Sequence, residues 1–264
     1  MSKVGQVAVV VPAKDEEQYV GRTVRAAYAL PGVDLVVVVD DGSDDETQAI
    51  ARASGATVVR HSVNRGKASA METGAKVVRM RDVEGRPPRH LLFLDADLGD
   101  SAIECAPLIG PVVDGRVDCA IAALPPQEGA GGHGFVTRLG RRAIERATGW
   151  SPLQPLSGQR CMTAAAFDAA RPLAKGWGVE VGMTIDMLVA GLTLQEIPCD
   201  IRHRATGNDV AGTLHRAGQY RDVFRAVWSR RFHGVKVPAE SRGAASSSGA
   251  EHFAPYRALV LEHS

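Results

Sequence analysis

Residues 6–41 read QVAVVVPAKDEEQYVGRTVRAAYALPGVDLVVVVDD. Two runs of β-branched residues, QVAVVVP and DLVVVVDD, carry no polar alternation, which is how strands buried on both faces of a parallel sheet read. Between them, EEQYVGRTVRAAYAL places Val20, Val24, Ala27 and Tyr28 at helical spacing. Strand, helix, strand is one crossover unit, and it repeats. DDETQAIARASG predicts a helix stopped at Gly55, ATVVRH a strand, KASAMETGAKVVRM a helix and HLLFLDAD a further strand. Three successive crossovers predict an α/β fold with a mostly parallel sheet flanked by helices, its first half of the nucleotide-binding type.

The alternation then loosens. CAIAAL predicts a strand, GAGGHGF a loop, VTRLGRRAIERATG a basic helix, VGMTIDMLVAG another helix and TLQEIPCDIRH a strand, while VPAESRGAASSSGAEHF has little to bury. A chain of 264 residues suits one domain with a sizeable core. Lys plus Arg number 31 against 30 for Asp plus Glu, so no global field favours nucleic acid or an anionic membrane. Cys105, Cys119, Cys161 and Cys199 form no CxxC pair and read as small buried hydrophobes. The first apolar run is too short for a signal peptide, and no run reaches the ~20 residues of a membrane span. The expectation is a cytoplasmic protein without an integral membrane segment.

In open parallel sheets, ligands bind beyond the carboxyl ends of the strands. Polar clusters recur there: Pro12 to Glu17, Asp40 to Asp44, Asn64 to Lys67 and Asp95 to Asp97. Capping and the helix dipole explain Ser43 to Glu46. They leave Asp40 and Asp41, whose carboxylates suit a base imide or a ribose hydroxyl. Lys67 reads either as solvated surface or as a diphosphate contact; the GxxxxGK[ST] spacing of a Walker loop is absent. Asp95-Ala96-Asp97 offers the partial carboxylate shell that Mg²⁺ takes alongside phosphate oxygens and water.

PAKDEE, DDGSDDET, NRGKASA and LDADL, in this order, resemble the Rossmann-like GT-A glycosyltransferases that use nucleotide-sugar donors. The resemblance implies that Pro12, Ala13 and Glu16 line the nucleoside pocket and that Asp41 or Ser43 contacts the uracil or ribose. It also implies that Lys67 lies beside the base loop, that Asp95 and Ala96 adjoin the ribose, and that Asp97 binds Mg²⁺ or Mn²⁺. PLSGQRCMTAAAFDAA, GWGVEVGMTIDML and IRHRATGND are similar to segments of the glucosyl-3-phosphoglycerate synthases and their relatives, which are retaining enzymes. That likeness makes Glu180 the holder of donor-sugar hydroxyls, with Asp97 the second catalytic group, and His203 the residue completing the metal shell. It places the acceptor near Gly134, Phe135, Val136, Thr137, Gly158 and Arg160. Phe135 stands where the synthases carry an arginine for the acceptor phosphate, and a phenyl ring makes none of the paired charged hydrogen bonds of a guanidinium. Residues 1–105 are then the donor half, 106–235 the acceptor half and metal-completing half of the same domain, and 236–264 a mobile tail.

The function implied is transfer of a hexose, glucose first, from a UDP-sugar to a small hydroxyl acceptor, with a homodimer as a further implication. A second reading is an inverting polyprenyl-phosphate glycosyltransferase at the membrane face, for which RLGRRAIER and HRAGQYRDVFRAVWSRR supply basic surface. A nucleotidyltransferase fits less well, because PAKDEE is acidic and lacks the glycines of a triphosphate loop. A binding-only protein is the remaining class.

Overall fold

In the computed structural model, β1 (Val7–Ala13) occupies the middle of the sheet and is buried throughout most of its length. The structure describes residues 7–125, 134–201, 222–230, 234–237 and 252–253. Successive side chains of a strand point to opposite faces. Ala8 and Val10 enter one core with Leu35, Val37, Val39, Leu91 and Phe93. Val7, Val9 and Val11 enter the other with Val36, Val38, Leu92 and Leu94. Apolar residues at every strand position are therefore needed, as the unalternating runs predict.

β2 (Val33–Asp40) pairs in parallel with β1, bringing Ala13 level with Asp40, and β3 (Thr57–Arg60) pairs in parallel with β2. β4 (His90–Phe93) runs parallel on the other side of β1. Helix α1 (Val20–Tyr28) and α2 (Thr47–Ala53) cover one face, joined by a 3-10 segment (Ala96–Leu108) and the short α4 (Ile109–Val113). The other face is covered by α3 (Lys67–Met80), α5 (Gly134–Thr148), α6 (Ala164–Ala169), α7 (Val179–Val189) and α8 (222–230).

The second half of the sheet departs from simple alternation. The full order is β3-β2-β1-β4-β6-β5-β7-β8. β6 (Arg160–Met162) is antiparallel to both β4 and β5 (Cys119–Ala123), setting Arg160 opposite Phe93 and Ile121. β7 (Leu194–Pro198) runs parallel to β5. The reversal has a positional consequence. The amino end of β6 lies at the same edge as the carboxyl ends of β1 to β4, so residues 157–160 join the strand-end clusters.

Two parts of the segment from 236 onward lie against the domain. The Val237 amide donates to the Ala147 carbonyl at 2.8 Å, and β8 (His252–Phe253) pairs antiparallel with Gln195 and Glu196 of β7.

Candidate active site

The loops after β1 and β2 are tied rung by rung. The Asp41 amide donates to Ala13 O at 2.8 Å, the Asp15 amide to Ser43 Oγ at 2.9 Å, the Asp44 amide to Asp15 Oδ1 at 2.8 Å and the Glu16 amide to Thr47 Oγ1 at 2.8 Å. Local hydrogen bonding from Asp and Ser side chains gives this backbone an alternative to helix or strand. It also holds Asp15 at φ 56. Gly42, at φ 76, passes so close to the neighbouring loop that a Cβ there would stand 3.0 Å from Asn64 N. Pro12 is half-buried and Ala13 buried at this edge, while Asp40 is wholly enclosed, its Oδ1 accepting from the Ser43 amide at 2.9 Å.

Asp41 is the hub of the adjoining loop. Its Oδ1 faces His61 Nδ1 at 2.7 Å and accepts from the Arg65 amide at 2.8 Å; Oδ2 accepts from the Gly66 amide at 2.7 Å. The other ring nitrogen of His61 meets Thr73 Oγ1 at 2.9 Å. Asp41 thus shapes the turn that starts α3 at Lys67, a role beyond the base contact expected for it. His61 and Thr73 were not foreseen; the only sequence signal was a histidine at a strand end.

Lys67 lies between two acids. Its Nζ is 2.8 Å from Asp95 Oδ1 and 3.0 Å from Glu180 Oε1. Burial by itself would lower this ammonium, and the charges of Asp95 and Glu180, with their hydrogen bonds, raise it well above the ordinary lysine range. Gln159, buried just before β6, donates from Nε2 to Asp95 Oδ2 at 2.7 Å. Gly158 is the floor of this junction. A Cβ on it would stand 2.6 Å from Lys67 Nζ and 3.0 Å from Asp95 Oδ2. Residues far apart in sequence, from the first turn of α3, the turn after β4, the approach to β6 and the first turn of α7, therefore converge on one charged knot at the carboxyl edge.

Asp97 is exposed in the turn just beyond Asp95, and Ala96 between them is buried. His203 lies outside the described residues. Among the described residues no three metal-ligating side chains cluster. A hard cation that retains water and binds phosphate oxygens asks for only one or two carboxylates, so the donor set of this turn fits Mg²⁺ or Mn²⁺.

On the acceptor side the expected residues separate. Gly134 and Phe135 open α5, with the Phe135 side chain outside the described residues; Thr137 is half-buried. Val136 points into the core instead of the cleft. Arg160 is 1% exposed and also turned inward: Nε donates to Ser157 O at 2.8 Å and Nη1 to Thr184 Oγ1 at 2.9 Å. Burial lowers its guanidinium from the ordinary arginine range. Both side chains are therefore part of the interior. Arg141, about one and a half turns beyond Phe135 on α5, is committed to the carbonyls of Pro152 and Leu153 at 2.8 and 2.9 Å.

Strand-end acids and one lysine gather outside the carboxyl edge of a largely parallel sheet, the place where open α/β proteins of the nucleotide-binding type take their ligands. The chain belongs to glycosyl transferase family 2, whose family model matches residues 8–169. It is 34% identical over 196 residues to glucosyl-3-phosphoglycerate synthase of Mycolicibacterium smegmatis, covering 68% of this chain and 63% of that protein. An uncharacterised protein of Methanocaldococcus jannaschii is 30% identical over 203 residues, covering 73% of this chain and 80% of its own. The match thus spans less than two thirds of the curated mycobacterial synthase. The structure of the Mycobacterium tuberculosis synthase in complex with Mn²⁺, UDP and glucosyl-3-phosphoglycerate superposes with a TM-score of 0.67 at 25% identity, covering 90% of this chain and 82% of that one. The fold is the GT-A arrangement.

Proposed function

We propose that this chain transfers a hexose, glucose first, from a UDP-sugar to a small hydroxyl acceptor, with retention at the anomeric carbon. The observation that carries the reading is the Lys67–Asp95–Glu180 knot beside the nucleoside-type loops, in a chain similar to synthases whose structures hold UDP with Mn²⁺ or Mg²⁺. Pro12, Ala13 and Glu16 form one wall of the base pocket, and Asp41 and Ser43 fix the opposite loop. Lys67 meets the negative charge of the donor. As it does, Glu180 exchanges the ammonium for sugar hydroxyls, which sets the sugar's orientation before transfer. Asp97 would hold a divalent cation, joined by His203, and that cation supplies charge neutralisation to the leaving diphosphate. Asp95 is bound to Lys67 and Gln159, and Glu180, on leaving Lys67, is taken up by the sugar hydroxyls, so both inward carboxylates are engaged in holding the donor side. That supports a path in which the acceptor's proton passes to the departing diphosphate oxygen.

No described helix is long and apolar enough to cross a membrane. The test is incubation with labelled UDP-glucose and Mg²⁺, offering 3-phosphoglycerate, glycerate or a polyprenyl phosphate in parallel, with NMR of the anomeric configuration. Label entering a small acceptor as the α-anomer supports the proposal; label entering the polyprenyl phosphate as the β-anomer replaces it with the membrane-face reading. Asp97→Ala abolishes metal-dependent turnover. Glu180→Gln keeps UDP affinity and lowers kcat by about a hundredfold, the scale of a misplaced substrate.

A further inference from the structure

The turn that carries Asp97 is held in part by its own segment, where the Ser101 hydroxyl donates to Leu98 O at 2.7 Å. Its two ends are fastened by a side chain from a different element. Thr23, in the middle of α1, is fully buried, and its hydroxyl donates to Ala96 O at 2.8 Å while accepting from the Gly99 amide at 2.8 Å. The two bonded backbone groups bracket Asp97 and Leu98. The chain turns sharply there, because Gly99 has φ 56 and ψ −135 in the midst of a 3-10 path. A single hydroxyl thus closes the turn from both ends. Arg22, next to Thr23, reaches the same segment at Asp100, 3.6 Å away, and stacks on Tyr19 at 5.3 Å, so the outer flank of α1 lies along this segment as well.

We infer that Thr23 is a positioning residue for the metal site, acting through the Ala96–Gly99 turn to aim the Asp97 carboxylate. This rests on the proposed binding of a divalent cation at Asp97. Side chains that orient a metal ligand typically govern metal affinity by about 10–100-fold without touching the ion. Valine has the shape of threonine but leaves Ala96 O and the Gly99 amide without their partner in a dry site. Serine restores the hydroxyl and loses only a methyl group.

The experiment measures UDP affinity by calorimetry in EDTA, and Mn²⁺ affinity of the UDP complex by electron paramagnetic resonance of free Mn²⁺. Wild type, Thr23→Val and Thr23→Ser are compared, with melting temperatures recorded alongside. The expected result is a loss of about tenfold or more in Mn²⁺ affinity for Thr23→Val, unchanged UDP affinity in EDTA, and recovery in Thr23→Ser. Unchanged Mn²⁺ affinity in Thr23→Val overturns the inference. An equal loss of UDP affinity in EDTA also overturns it, since Thr23 would then support the whole cleft. If Thr23→Val does not fold, Thr23→Ala, which leaves room for a water, takes its place under the same criteria. A wild-type protein that binds UDP but takes up no Mn²⁺ refutes the metal site itself, a result distinct from any effect of Thr23.

Discussion

At the scale of single residues, the site depends on a side chain that is absent. Gly158 lets Lys67 and Asp95 meet over bare backbone, and a methyl group there would come within 2.6 Å of the ammonium. The tip of a lysine moves at little cost, so Gly158→Ala is expected to fold normally while displacing Nζ from Asp95. A charge-assisted hydrogen bond contributes about 1.5–3 kcal/mol, so the donor KM should rise about tenfold with a melting temperature within a few degrees of wild type. Steady-state kinetics with UDP-glucose check this, and an unchanged KM would remove Gly158 from the site. A glycine, unlike an acid or a lysine, carries no chemical signal of its own in a sequence. Asp95 and Lys67 stood out as charged groups beyond strand ends, whereas Glu180 was singled out only by the likeness to the synthases. Gln159, Thr23 and His61 did not, because their roles arise from partners some 12 to 76 positions away.

At the scale of elements, α3 carries Lys67 on its first turn and rests on the sheet at Gly74. A Cβ on Gly74 would stand 2.3 Å from Val10 Cγ1 and 3.3 Å from Val39 Cγ2. Alanine gains about 1 kcal/mol over glycine in helix propensity. Overpacking against two buried valines costs about 1–3 kcal/mol, and with so short an approach the clash wins. Gly74→Ala should therefore lower stability in urea titrations by about 1–2 kcal/mol, and the displaced helix should weaken donor binding too. Increased stability would mean that the helix shifts without strain. The parallel strands β1 to β4 and helix α3 were legible because burial on both faces and a 3.6-residue period leave direct traces in residue choice. The three-residue β6 was not, since its reversal is set by the strands on either side rather than by Arg160, Cys161 and Met162 themselves. The 3-10 path from Ala96 to Leu108 was equally hidden, being fixed by packing against α1.

At the scale of the whole molecule, two apolar layers enclose the sheet, and the four cysteines are all free thiols buried within them. Burial pushes these thiols up, Cys119 and Cys199 to about 12. The native protein should therefore react with no thiol reagent at pH 8, and all four sites should become reactive in denaturant. A raised folded pKa means that the unfolded chain releases its thiol protons first, so stability should fall as pH climbs past about 8.5. Melting curves from pH 7 to 10 check the sign; a flat profile would show that the thiols are solvated. β5 and β6 also have an evolutionary consequence. They are adjacent and antiparallel in the sheet, so the chain between them starts and ends at neighbouring points, like the two roots of a handle, with α5 packed back on the core. Each doubling of such a handle adds only about 0.6 kcal/mol of closure entropy. Under the proposed function, lineages can lengthen the connections on either side of α5 to accept new sugar recipients while inheriting the strand-end clusters of β1 to β4 intact.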